Sequence, residues 1–111
     1  MASGDETLKN HNIDGLTNSA QELAVTSGHT FTILSFTINE RAGNAETFSV
    51  YCDPSNNNTG TNTYIYTDQS LPAKGTFEHT SKIVLTAGQR IGFQASAGDC
   101  DVWLSYLDQE L

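Results

Sequence analysis

Positive charge is scarce in this sequence. Five Lys or Arg stand against thirteen Asp or Glu, a formal net charge of -8 over 111 residues, so the chain lacks the cationic footprint that nucleic acid or an anionic membrane surface requires. Long apolar runs are missing as well. No stretch approaches the roughly 18 apolar residues of a membrane span, and the opening MASGDETLKNHN has no apolar signal core. A soluble, unprocessed chain is expected. Cysteine is limited to Cys52 and Cys100, without CxxC spacing and without a His at metal-ligand distance in sequence, which argues against zinc. Two readings of these thiols stay open: half-buried small apolar side chains, or a Cys52–Cys100 disulfide contributing about 3 to 4 kcal/mol. The glycines are dispersed in turns, so there is no phosphate-cradling loop. No helical periodicity survives the turn residues.

What is present is alternation. The length suits a single domain with one modest core. Residues 1–20 are polar, with Leu8, Ile13 and Leu16 scattered among Asn, Asp, Gly, Ser and Thr. Such a segment buries too little surface to order itself; it is expected to be an N-terminal arm packed on its own domain or on a neighbour, with residues 21–111 as the domain. From Glu22 the pattern takes period two, the mark of strands with one face inward. In TFTILSFTIN, Phe31 and Ile33 point one way by strict alternation, and Leu34, Phe36 and Ile38 the other, as in a strand with the core on one side and a partner on the other. ETFSVYC brings Phe48, Val50 and Cys52 into phase, and NTYIYT brings in Tyr64 and Tyr66. A short edge follows at residues 75–78, then KIVLT, then QRIGFQA with Ile91, Phe93 and Ala95 in phase. DVWLSYL places Val102, Leu104 and Tyr106 opposite Trp103 and Leu107. Gly, Asn and Pro punctuate these runs at residues 42–44, 54–62, 71–75, 87–88 and 97–99. The expected fold is all-β, a single antiparallel β-sandwich or jelly roll of about seven to eight strands.

Candidate chemistry is thin. His11 falls in the polar tail, His29 at a strand start and His79 in a short strand, none in a motif that marks a catalytic base; hydrogen-bonding or solvated roles are expected. Asp99-Cys100-Asp101 and Asp53 offer carboxylates, but neither place has the dense oxygen-ligand run of a dedicated calcium loop. No enzyme, no cofactor and no metal are expected. Asn57-Asn58-Thr59 is formally a glycosylation sequon, read here as a polar loop tip. Tyr51, Tyr64, Tyr66, Trp103 and Tyr106 either fill the core or supply a sugar-stacking platform or a subunit contact.

The segment from Leu71 to Leu107, LPAKGTFEHTSKIVLTAGQRIGFQASAGDCDVWLSYL, resembles the closing half of small β-sandwich structural proteins of tailed bacteriophages. There a Pro-Ala-x-Gly-Thr turn leads to a short strand, an apolar strand ending in Leu-x-x-Gly-x-x-Ile, an Ala/Ser-rich strand and a last strand with Val-x-Leu-Ser-Tyr. The TFTILSFTIN and ETFSVYC strands fit the earlier pair of that family. The shared Pro72, Gly75, Gly88, Ile91, Ser105 and Tyr106 carry architecture and no chemistry. The run from Leu85 to Phe93 is also similar to trimeric jelly rolls of the complement C1q and tumour necrosis factor type.

The phage resemblance implies a virion structural protein: a capsid decoration or cement protein that forms a homotrimer and binds the major capsid protein, or else a tail, baseplate or fibre module that contacts a host receptor or glycan. A stand-alone carbohydrate-binding module or small hydrolase is the remaining class. The interface expected on this reading uses Leu8, Ile13, Leu16, Phe31, Phe36, Tyr64, Tyr66, Trp103 and Tyr106.

Overall fold

Along most strands apolar residues alternate with polar ones, and the fold follows from closing those apolar rows on each other. The computed structural model describes residues 5–54 and 62–111. Among them are nine strands and no helix: β1 Glu6–Leu16, β2 Gln21–Ala24, β3 His29–Glu40, β4 Glu46–Asp53, β5 Thr63–Leu71, β6 Thr76–His79, β7 Ile83–Thr86, β8 Arg90–Ala95 and β9 Cys100–Glu110. They form two antiparallel sheets. One runs β1-β9-β3-β6, with β7 also on β3; the other runs β2-β8-β4-β5. Strands β6 and β7 share one edge of β3, β6 along Phe36–Asn39 and β7 along Thr30–Ile33. The two sheets face each other over a core led by Phe36, Phe48, Phe93, Ile33, Ile38, Ile91 and Leu104. Phe36 meets Phe93 edge-on across the sheets, with ring centroids 5.1 Å apart. This is the β-sandwich that the alternation predicts.

Three expectations are corrected. The segment up to residue 20 is no separate arm in its described part: β1 pairs with β9 from Glu6↔Gln109 to Leu16↔Cys100 and becomes the sheet's edge strand. Of the two destinations foreseen for it, its own domain is the one observed. Its polar composition reflects an edge whose outer face meets water, while Ile13 and Leu16 turn inward. Their three-residue spacing breaks alternation, and a register shift between them restores it. Gly15 sits in that shift with φ 74°, a backbone conformation that only glycine adopts without strain. With β1 and β2 added, the strand count exceeds the seven to eight expected.

The second correction concerns β3. Its pairing with β9 slips between Ile33 and Ser35, leaving Leu34 as the extra residue. The bulge flips the phase, so Phe31, Ile33, Phe36 and Ile38 all enter one core. The two-faced strand of the sequence reading does not exist. The third concerns β5, where Val50↔Tyr66 is followed by Tyr51↔Tyr64. Two residues on β5 advance against one on β4, so Tyr64 and Tyr66 lie on opposite faces.

Candidate assembly surface and carboxylate cluster

Residues paired side by side in an antiparallel sheet share a face, so the register fixes what the five-stranded sheet shows to solvent. Across its outer side run Leu8, Leu107, Thr32 and Val84 as one row. Asn12, Trp103 and Thr37 form a parallel row, with Asn10, Ser105 and Ser35 between them. Leu34, displaced by the bulge, lines the same hollow as Leu8, Trp103 and Ser105. Leu8 is 75% exposed, Val84 62% and Trp103 52%. The centre of these rows carries no charge, but Thr37 pairs onward with the exposed Glu78, and Glu6 beside Gln109 and Asp101 beside Asn39 stand on the same face, so carboxylates border the apolar patch.

Of the nine residues expected at an interface, the structure brings Leu8 and Trp103 together on this face. Tyr64 is also exposed, but on the opposite sheet. Ile13, Leu16, Phe31, Phe36 and Tyr106 are buried within the sandwich itself and are unavailable to a partner. Phe31 lies against Tyr106 with ring centroids 4.7 Å apart. Tyr66 packs at the core margin between Phe48 and Phe77, and its hydroxyl is 2.8 Å from His79 Nδ1. His79 Nε2 is 2.7 Å from the Ser81 carbonyl, which can only accept, so Nε2 donates there and Nδ1 is left to bond the Tyr66 hydroxyl. Leu34 and Leu107, the latter already in phase with Trp103 by alternation, join this face although they were not among the nine, and Val84 is the surface residue the sequence reading missed. The signal for Val84 was available in KIVLT, where Ile83 and Leu85 occupy the alternate positions.

The outer side of the four-stranded sheet carries a different set. Glu22, Gly92, Tyr51 and Tyr64 stand in one cross-strand row. Tyr51 lies flat over Gly92, where an added Cβ would come 2.2 Å from its ring, and its hydroxyl donates to Glu22 at 2.5 Å. Burial, then the neighbouring Glu22 carboxylate, pushes the Tyr51 phenol well above its ordinary value. Arg90 holds the other Glu22 oxygen at 3.3 Å. Tyr64 packs against Tyr51 with ring centroids 5.5 Å apart and the planes tilted by 47°. At one end of the sandwich Asp108 accepts from Lys9 at 2.8 Å and sits 2.7 Å from His29 Nδ1. Burial alone would raise the Asp108 carboxyl; the Lys9 and His29 contacts outweigh it and hold it below the usual range. The third histidine, His11, lies on β1 opposite Leu104.

At the other end, alternation carries acids inward. Glu40 follows Ile38 in phase, Glu46 precedes Phe48 and Cys100 precedes Val102, so all three enter the space between the sheets. Glu40 accepts four backbone N–H groups, from Ala42, Gly43, Asn44 and Lys74 at 2.8 to 3.0 Å. The Lys74 N–H, ahead of those of the β3–β4 turn, holds its carboxyl below the ordinary value against the opposing cost of burial. Glu46 Oε1 accepts from Ala97 N–H at 3.0 Å and from the Cys100 thiol at 3.5 Å. The sequence reading named neither glutamate, although the phase of Ile38 and Phe48 marks both as inward.

The thiols are free. Cys100 lies beside Glu46, at the start of β4, whereas Cys52 is six residues further along that strand, about 20 Å away at the usual rise. That separation excludes the disulfide. Burial, then the Glu46 carboxylate, pushes the Cys100 thiol to about 12, and burial alone pushes Cys52 to about 11. Asp53 and Asp101, weighed with Asp99 as calcium ligands, lie elsewhere: Asp53 at the far end of β4, and Asp101 bound to Gly15 N–H at 2.9 Å and to Arg41 at 3.5 Å. The sequon and the Asn-rich loop around it lie outside the described residues.

No family model matches the chain, and no curated protein matches it. Solved structures do. The nucleoplasmin-like N-terminal domain of Drosophila FKBP39 superposes with a TM-score of 0.50 at 12% identity, over 96% of this chain and 91% of that one. The CBM22-1–GH10 modules of Clostridium thermocellum xylanase 10B, complexed with xylohexaose, give 0.49 at 12% identity, over 96% of this chain and 25% of that one. A pentameric capsid protein from metagenomic phage sequences gives 0.44 at 12% identity, over 93% and 60%. At such identities the likeness is one of fold.

Proposed function

We propose that the chain is a non-enzymatic structural subunit of a tailed-phage virion, a capsid decoration or cement protein that trimerises through the outer face of its five-stranded sheet and binds the major capsid protein. The observation that carries this reading is the apolar centre of that face, Leu8, Leu34, Val84, Trp103 and Leu107, bordered but not interrupted by Glu6, Glu78 and Asp101, on a strongly acidic chain. Two copies of a -8 chain repel, so a stable contact between them needs a patch free of carboxylates and rich in apolar area. Trp103 is its natural anchor, since Trp gives much contact area for little lost side-chain entropy. The resemblance of the Leu71–Leu107 segment to phage structural proteins supplies the setting. Co-sedimentation with empty capsids of the phage that carries this chain, followed by thermal melting of the shells, tests it. Binding with a raised shell melting temperature supports cement; a chain that binds no capsid contradicts it.

A second reading has its own observation. Tyr64, exposed beside Tyr51 on the opposite sheet, offers a sugar-stacking face of the kind a fibre or tail module would use. On that reading a glycan array gives a binder, and Tyr64→Ala loses it; silence on the array removes this alternative.

A further inference from the structure

The carboxylate cluster between the sheets lies outside the proposed assembly face. Glu40, Glu46 and Asp99 bring one carboxylate oxygen each to within 4.8 Å of one another. Glu40 is fully buried and Glu46 is 6% exposed, while Asp99 opens the group to solvent. Three like charges so close repel strongly away from water. Among the described residues no Lys, Arg or His ion pair reaches any of the three. Backbone N–H groups stabilise the Glu40 carboxylate, whose Oε2 takes a single donor and keeps a lone pair. Glu46 is different. One oxygen is held by Ala97 and Cys100, while Oε2 is buried with no hydrogen-bond partner at all. A buried carboxylate oxygen without a partner is costly, and such a group in a native fold calls for an ion or a proton.

We infer that Glu40, Glu46 and Asp99 form a calcium site at this end of the sandwich, with Glu46 Oε2 as the inner ligand. The donor chemistry selects the ion. The converging atoms are all carboxylate oxygens, with no imidazole nitrogen or thiol sulfur among them, which suits a hard cation. Water reaching past Asp99 completes the shell. The Cys100 thiol donates to Glu46 Oε1 and is not among the converging oxygens. Because the ligands come from the end of β3, the start of β4 and the turn before β9, the ion would tie both sheets together.

The test is calorimetric titration of the chelator-treated full chain with calcium, with melting temperature as a second readout. One saturable site is expected, with a rise in melting temperature on the order of 10 °C at about a hundredfold excess over Kd. Glu46→Gln and the more exposed Asp99→Asn each lose that response; should Glu46→Gln fail to fold, Asp99→Asn carries the test. Absence of heat and of any melting shift up to about 10 mM calcium, or a wild-type response in both variants, overturns the site. So does a Glu46→Gln chain that melts higher than wild type while calcium leaves wild type unmoved, since that assigns the oxygen to a proton shared between carboxyl groups.

Discussion

At the scale of single residues, the aromatic side chains divide by what lies beneath them. Tyr51 is buried because Gly92 leaves room for its ring and Glu22 receives its hydroxyl. Gly92→Ala therefore forces the ring off its seat, and we expect a loss of about 1 to 3 kcal/mol in chemical denaturation. The loss should couple to Tyr51→Ala in a double-mutant cycle, because removing the ring removes the clash. An uncoupled, additive result would place the strain elsewhere. The cysteines make a second residue-scale prediction. With thiols raised to about 11 and about 12 by burial, neither reacts with a disulfide reagent at pH 8 in the native chain, and both react at once in denaturant. Rapid native labelling of Cys100 would contradict its burial. Sequence made Phe48, Val50, Ile91 and Phe93 legible as core, because their strands keep strict alternation. It could not separate Tyr64 from Tyr66, since one extra residue on β5 reverses the face without altering the spacing.

At the scale of elements, bulges and edges decide what a sequence conceals. Strand β1 was hidden because an edge strand with a wet outer face needs only a few inward apolar groups, here Ile13 and Leu16. The difference is measurable. Leu16→Ala should cost about 2 to 5 kcal/mol, the penalty of a large-to-small change in a closed core; a loose arm would lose almost nothing. The β3 bulge had the opposite effect, making a single-faced strand look double-faced and suggesting a partner on the wrong residues. The surface left for assembly is legible in part: alternation puts Leu107 on the side of Trp103, and Leu8 is among the expected residues, while Leu34 and Val84 emerge only once bulge and register set them beside these. Glu40 and Glu46 were missed because charged residues at strand ends ordinarily face water, and these two follow the inward phase instead.

At the scale of the whole molecule, charge shapes both stability and association. The Glu40 and Asp108 carboxyls are held below their ordinary values of 4.5 and 3.8. Each contributes stability that is complete above those values and is lost as pH falls through the lower folded values. Lys9 and the two thiols are shifted upward, so their contributions are complete below the unfolded values and fade as pH rises, the thiols from about 9 and Lys9 from 10.5. Melting temperature should thus hold a plateau from about 4.5 to about 9 and fall on either side, the acid limb shallower in Glu40→Gln if that chain folds. A maximum confined to low pH, where the chain's net charge vanishes, would show that general repulsion outweighs these specific groups.

Self-association through the apolar centre of the five-stranded sheet's outer face is the claim on which the functional reading turns, and sedimentation equilibrium reads it directly. We expect the wild-type chain to have three times its 12.0 kDa mass, and Trp103→Asp to sediment as a folded monomer with an unchanged circular dichroism spectrum. A wild-type chain that stays monomeric at high concentration, or a Trp103→Asp chain that still trimerises, would contradict it.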